Sequence, residues 1–283
     1  MRKSKLLSGK WLLSGGEIYD PYKDKLFKGD LLINNGKIEK IGKINKSSYN
    51  LIDCKNKLIT SGFIDIRSHF KIPGSGYTET IETGSRAAMA GGYTTVCIMS
   101  DKDSPLDKPE QIKYVIESSQ NSPIDILPIG SISTSHKGKE LCEYGEMIKE
   151  GAVAFSDNLD PVQNSQFLRY ALQYSGMYKK PIIGYPRDIT INSEGIVNEG
   201  LLSTKLGLEG IPDIAESIIV SRDLMIAESV EGAKIHMPLI STKKSLSIIR
   251  DFQKKGVSVT VSVTPHHIVF NEEYICNYNN NAK

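Results

Sequence analysis

From residue 59 onward the sequence alternates short apolar runs with longer stretches of helical periodicity, and this limits the available folds more than any other feature. The runs fall at 62–66, 94–99, 124–129, 152–156, 181–185, 233–240 and 257–263, with helix candidates near 78–91, 108–119, 138–150, 163–178, 211–230 and 243–255. Strands alternating with helices build parallel βα units. Each run is short and nearly all apolar, as strands covered on both faces are. Seven successive units suit a (β/α)8 barrel better than a doubly wound sheet, although spacing alone leaves the second arrangement open. In a barrel the chemistry sits at the C-terminal ends of the strands, so those ends are where functional residues are sought.

Ahead of this region, residues 6–57 read as short strands separated by turns. Asp20-Pro21 and Gly15-Gly16 are turn signals, and Asn34-Asn35-Gly36 lies between two strand-like runs, as in a hairpin. The chain therefore divides into a small β module over 1–57, half of a β-sandwich, and a barrel over 58–283. Seven barrel strands are legible and an eighth is not, so strands one and seven would carry unpaired edges. Truncation of the chain, or cover from a partner or a second copy, would each account for this. No internal repeat is visible, and low complexity is confined to the asparagine-rich stretch Asn277 to Asn281.

Bulk properties exclude several classes. A net charge of +2 with scattered lysines gives no footprint for nucleic acid or an anionic membrane. No stretch approaches the roughly 18 apolar residues of a membrane span. Lys10 interrupts the apolar run near the start, so no secretory signal is expected. Cys54, Cys97, Cys142 and Cys276 form neither a CxxC pair nor a zinc-finger spacing, and read as buried free thiols of a cytoplasmic protein. There is no GxSxG for a serine hydrolase, no P-loop and no GxGxxG after a strand.

The first strand end reads Gly62-Phe63-Ile64-Asp65-Ile66-Arg67-Ser68-His69-Phe70-Lys71-Ile72-Pro73-Gly74. Glu79-Thr80-Ile81-Glu82-Thr83-Gly84 follows, then Ala90-Gly91-Gly92-Tyr93-Thr94-Thr95-Val96. Further along come Gly138-Lys139-Glu140-Leu141, Gly151 to Asp157, Asn198-Glu199-Gly200, Leu206 to Pro212, and Thr264-Pro265-His266-His267. This ordered set resembles the dihydroorotase family of the amidohydrolase superfamily, in one register over almost the whole chain. The resemblance implies an amidohydrolase-type barrel and hydrolysis of a cyclic amide. In most members one or two divalent metals, commonly zinc, lower the pKa of water from about 15.7 to about 7 and polarise the scissile carbonyl.

Set against that pattern, the ligands implied by the resemblance are largely missing. The family's paired histidines at strand one are Arg67 and His69 here, so one survives. The strand-four carboxylate aligns with Asn158, although a one-residue slip would place Asp157 there. The strand-five histidine aligns with Tyr185, and the strand-six ligand with Leu239, while His236 matches a histidine that is not a ligand. The last carboxylate has no counterpart. A zinc site needs about three or four donors. A permanently charged guanidinium about 4 Å from a divalent cation, at an effective dielectric near 20, adds roughly 8 kcal/mol of repulsion. No metal is therefore expected, with His69 at most as a donor. Substrate positions have changed too. Lys71 replaces an arginine and loses its bidentate fork, and Asp101 replaces an asparagine and would repel an anion.

The remaining candidates read as support. Asp65 is a strand-end hydrogen-bond acceptor, and His236, His266 and His267 are structural. His69 is a hydrogen-bonded barrel-end residue, Tyr185 packs, and His136 is a solvated loop residue. Arg67 and Asp157 could form an internal ion pair in the cation's place, because a buried guanidinium needs a partner. The resemblance also implies a role. Degenerate members of this family accompany aspartate transcarbamoylase in pyrimidine synthesis, which makes this chain a non-catalytic partner in a homo- or hetero-oligomer. An active cyclic amidase with an altered site, or a small-molecule sensor, are the alternatives.

Overall fold

The computed structural model describes residues 9–45, 49–70, 72, 74, 79–191 and 194–279. Contacts group the chain up to Asp65, with Ser85–Thr95 and Pro123–Asp125, into one compact unit, and the remaining residues into a second.

The first unit is built on a five-stranded sheet. β1 (Lys10–Asp20) and β2 (Lys25–Asn34) form an antiparallel hairpin that pairs Lys10 with Asn34 and Asp20 with Lys25. β2 turns into β3 (Lys37–Gly42) through Asn35 and Gly36, whose φ values of 47° and 75° are those of a type I′ turn. β4 (Asn50–Asp53) and β5 (Leu58–Ile59) both run parallel to β1. Along β1 the buried positions are Leu12, Ser14, Gly16 and Ile18, a two-residue period that buries one face. Ile18, Leu31, Cys54 and Ile59 make that core.

Seven strands form the second sheet among the described residues: β6 (Phe63–Ser68), β7 (Tyr93–Ile98), β8 (Asp125–Gly130), β9 (Ala154–Phe155), β10 (Ile182–Ile183), and then, beyond a separate two-stranded pair β11 (Val197–Asn198) and β12 (Gly210–Ile211), β13 (Ile235–Met237) and β14 (Val259–Val261). The order is β14-β13-β10-β9-β8-β7-β6, and the pairs from β8 to β14 are parallel. Cys97, Met99, Ile129, Ala154 and Ile183 cluster in its core. The strands coincide with the seven apolar runs, so the parallel α/β reading holds.

The helices are α1 (Ile81–Ala90), α2 (Pro109–Ser118), α3 (Tyr144–Glu150), α4 (Ser165–Met177), α5 (Leu201–Leu206), α6 (Ile214–Glu228), α7 (Lys243–Lys254) and α8 (Pro265–Val269). α4 starts where Asn164 accepts the Phe167 N–H at 3.0 Å, and buries Phe167, Leu168, Ala171, Leu172 and Ser175 as one stripe. Thr242 caps α7 in the same way through Ser245. The sequence predicted a helix from 138, but α3 begins only at Tyr144. Gly138 is left-handed at φ 61°, and Leu141 bridges to Ser133 instead, which holds 137–143 as a loop. Likewise residues 211–213 belong to β12 and its exit rather than to α6, because Asn198 and Ile211 pair as strand neighbours.

Candidate functional site

The C-terminal ends of the parallel strands bring several of the singled-out residues together. Arg67 is the penultimate residue of β6, and its Nη2 donates to Asn158 Oδ1 at 2.9 Å, across 91 residues of sequence. Asn158 follows β9 in the left-handed region at φ 56°, a conformation asparagine tolerates, with its N–H held by Ser156 Oγ at 3.1 Å. The ion pair between Arg67 and Asp157 is not made. Asp157 turns away and is buried, with Oδ1 accepting the N–H groups of Ile132 (2.8 Å) and Ser133 (3.0 Å), and Oδ2 accepting the Ser133 hydroxyl. Burial raises its pKa, and these hydrogen bonds oppose the rise.

His69 lies just past β6, with Nδ1 3.7 Å from Asp101 Oδ2. Asp101 is a turn residue, bridged to Ser104. Asp65 sits inside β6 rather than at its end. Lys71 lies outside the described residues. Tyr185 and Leu239, the other two positions aligned with ligands, line a cleft of about 230 Å³ with Arg187, Asn198, Glu216 and His267. The Glu216 carboxylate is already engaged, accepting the backbone and hydroxyl groups of Ser241 and Thr242. Leu239 is left-handed at φ 59°, a strained conformation for leucine.

The supporting histidines divide. His236 is buried, with Nδ1 2.8 Å from Thr260 Oγ1 and Nε2 2.9 Å from Ser262 Oγ, so it ties β13 to β14. Burial lowers its pKa and keeps it neutral. His267 is bonded through Nδ1 to the Thr264 hydroxyl at 2.7 Å, and the exposed His266 packs its ring against Phe270. Cys54, Cys97 and Cys142 are buried free thiols as expected, but Cys276 is exposed.

The clearest departure is His136. It is not solvated: its side chain is fully buried, with Nε2 2.7 Å from Ser100 Oγ and 3.2 Å from Ser131 Oγ. Ser135 and His136 are both left-handed, at φ 53° and 56°, and this turn carries the imidazole inward. Nothing in the local sequence marks consecutive left-handed residues that are not glycine. The serines of Ser131-Ile132-Ser133-Thr134-Ser135 were the one available signal, since hydroxyls after an apolar strand can receive a buried imidazole.

Whether this strand-end constellation suits a divalent metal follows from its donors. Arg67 has no lone pair to give, and it takes the Asn158 oxygen that a cation would use. Leu239 offers no donor. Among the described residues, no group of three or more His, Cys, Asp and Glu side chains is arranged to hold a metal ion. The described residues do not fit the metal centre that the resemblance implies.

The fold class is that of the amidohydrolase barrels. An L-hydantoinase (dihydropyrimidinase) from Arthrobacter aurescens superposes with a TM-score of 0.78 at 17% identity, over 94% of this chain and 60% of that one. A D-hydantoinase from Bacillus sp. AR9 superposes at 0.74 with 17% identity, over 96% and 61% of the two chains. The Dihydro-orotase-like family model matches residues 56–245, and the chain belongs to that family. The dihydroorotase of Pelotomaculum thermopropionicum is 38% identical over 275 residues, covering 97% of this chain and 64% of the relative. That of Syntrophus aciditrophicus is 37% identical over 279 residues, covering 97% and 65%. The chain thus spans just under two thirds of the length of these relatives.

Proposed function

We propose that this chain is a non-catalytic dihydroorotase-like protein of pyrimidine biosynthesis that acts as a structural partner of aspartate transcarbamoylase. The observation that supports this is the Arg67–Asn158 hydrogen bond. It sets a permanent positive charge against the Asn158 oxygen, at two of the positions that the resemblance aligns with metal ligands. Without a metal, neither activation of water nor polarisation of an amide carbonyl has a source at this mouth. The transcarbamoylase partner rests on analogy with degenerate members of the family, since a fold does not fix a function. Free thiols suit a cytoplasmic setting. Size-exclusion chromatography of the full chain mixed with aspartate transcarbamoylase at micromolar concentration tests the reading. Co-elution is expected, and separate elution contradicts it.

A second reading is favoured by the identity of about 38% to proteins named dihydroorotase. On that reading the chain is a cyclic amidase with an altered site, and it hydrolyses dihydroorotate in a zinc-dependent reaction.

A further inference from the structure

We propose that the exposed face of α6 is a self-association surface, on which a second copy of this chain packs antiparallel about a two-fold axis near Ser221. This face is separate from the strand ends, and the proposal does not depend on the function proposed above.

α6 buries Ala215, Ile219, Val220, Leu224 and Ala227 as its inward stripe. The opposite side of a surface helix ordinarily carries charge. Here it carries Ile214, Ile218 and Met225, which are 40%, 40% and 61% exposed, with Ser221 between the last two. The steps from 214 to 218, 221 and 225 are four, three and four residues, the spacing of the apolar seam along which two helices pair. The next position of that series, Glu228, is the first to bear a charge. Arg222 flanks the seam, but its guanidinium is turned to Asp223 and to the carbonyls of Val162 and Gln163. The neighbouring helices sharpen the point. α7 exposes Lys243, Lys244, Arg250, Asp251 and Lys254 and no large apolar side chain. α4, which also packs beside α6, adds exposed Tyr170 and Met177. Exposed apolar side chains gathered in this way mark a protein contact.

The occupant is a second copy because the seam is self-complementary. In an antiparallel pair, Ile218 of one copy meets Met225 of the other, and Met225 meets Ile218. Such reciprocity is what an isologous interface requires. Ser221, small and central, lets the two axes approach to about 8–10 Å. Parallel pairing would set the two Glu228 carboxylates against each other, whereas antiparallel pairing parts them by about 20 Å at a rise of about 1.5 Å per residue.

The test is sedimentation velocity of the full chain at micromolar concentration, where a dimer is expected. Ile218→Glu and Met225→Lys should each weaken association about 10-fold or more, because each sets a charge against an apolar side chain in a dry interface. Circular dichroism checks that the variants are folded, which their exposed positions favour. Both changes in one chain bring opposite charges face to face, so the dimer should return and should weaken with added salt. Tyr114→Lys, at an exposed tyrosine on α2, should leave association unchanged. A wild-type monomer overturns the proposal. So does a dimer that withstands both single variants or is lost in Tyr114→Lys, or a double variant that stays monomeric. A chain that is monomeric alone, yet binds aspartate transcarbamoylase and loses it with Ile218→Glu, assigns the face to that enzyme and overturns the proposal too.

Discussion

Asp157 and Asn158 are neighbours in sequence at the end of β9, but they belong to two different regions. Asp157 enters a buried network with Ile132 and Ser133, where each carboxylate oxygen has a partner that pins the loop after β8. Asn158 enters the strand-end constellation, where it receives one hydrogen bond from Arg67 across the sheet. In the first region the polar groups hold backbone, so substitution leaves buried N–H groups unsatisfied. In the second, the positions that the resemblance aligns with metal ligands hold arginine, asparagine, tyrosine and leucine, while the strands beneath keep their pairing. The contrast separates residues that maintain the barrel from residues that would serve chemistry.

The largest expected effect is on the buried side. Asp157→Ala should destabilise the protein by about 3 kcal/mol or more, because two buried N–H groups and a hydroxyl lose their acceptor at roughly 1–3 kcal/mol each. Urea denaturation measures this, and a loss below about 1 kcal/mol would erase the distinction. Arg67→Met should cost less than Asp157→Ala, since the hydrogen bond to Asn158 is replaced by an apolar chain of similar length and no buried backbone N–H loses its acceptor. If Arg67→Met proved the more damaging, the strand-end residues would be the structural ones.

Titration sharpens the comparison. Asp223 on α6 is buried beside Arg222, which also clamps the carbonyls of Val162 and Gln163 at 2.6 and 2.8 Å. Burial outweighs the arginine and raises the Asp223 pKa from 3.8 to about 6. The folded state therefore holds this proton more tightly than the unfolded chain. The stability so gained is complete below about pH 4 and is lost as the pH rises to about 6, a change on the order of 3 kcal/mol. His236 has the opposite sign. Its pKa is lowered from 6.5, so the stability it contributes is present above pH 6.5 and is lost as the pH falls below it. Thermal melts of Asp223→Asn between pH 4 and 7 should show the first slope flattened, while an unchanged slope would mean that Asp223 is not its source. The smallest effect is expected at Leu239. Leu239→Gly should be neutral or stabilising by under about 1 kcal/mol, since glycine occupies the left-handed region without strain. A clear destabilisation in melts would show that the leucine side chain packs as a core residue.

Much of the fold was legible because it rests on local rules. Asn35-Gly36 specifies its turn through positive φ, and apolar runs mark strands covered on both faces. The site was legible only in part. Residue type was enough to say that Arg67 and Leu239 offer no lone pairs. The destination of Asp157 depends on which side of the chain each of two adjacent carbonyl-bearing residues presents, and a one-residue slip in register exchanges them. The burial of His136 was not legible, because it is set by two consecutive left-handed residues and by hydroxyls supplied just past the ends of β7 and β8. The β11–β12 pair is two residues per strand, too short for any period to appear.

Turnover of dihydroorotate by the full chain with added zinc measures the central claim most directly. The account predicts none above a heat-denatured blank. Zinc-dependent hydrolysis that is abolished in His69→Gln would contradict it.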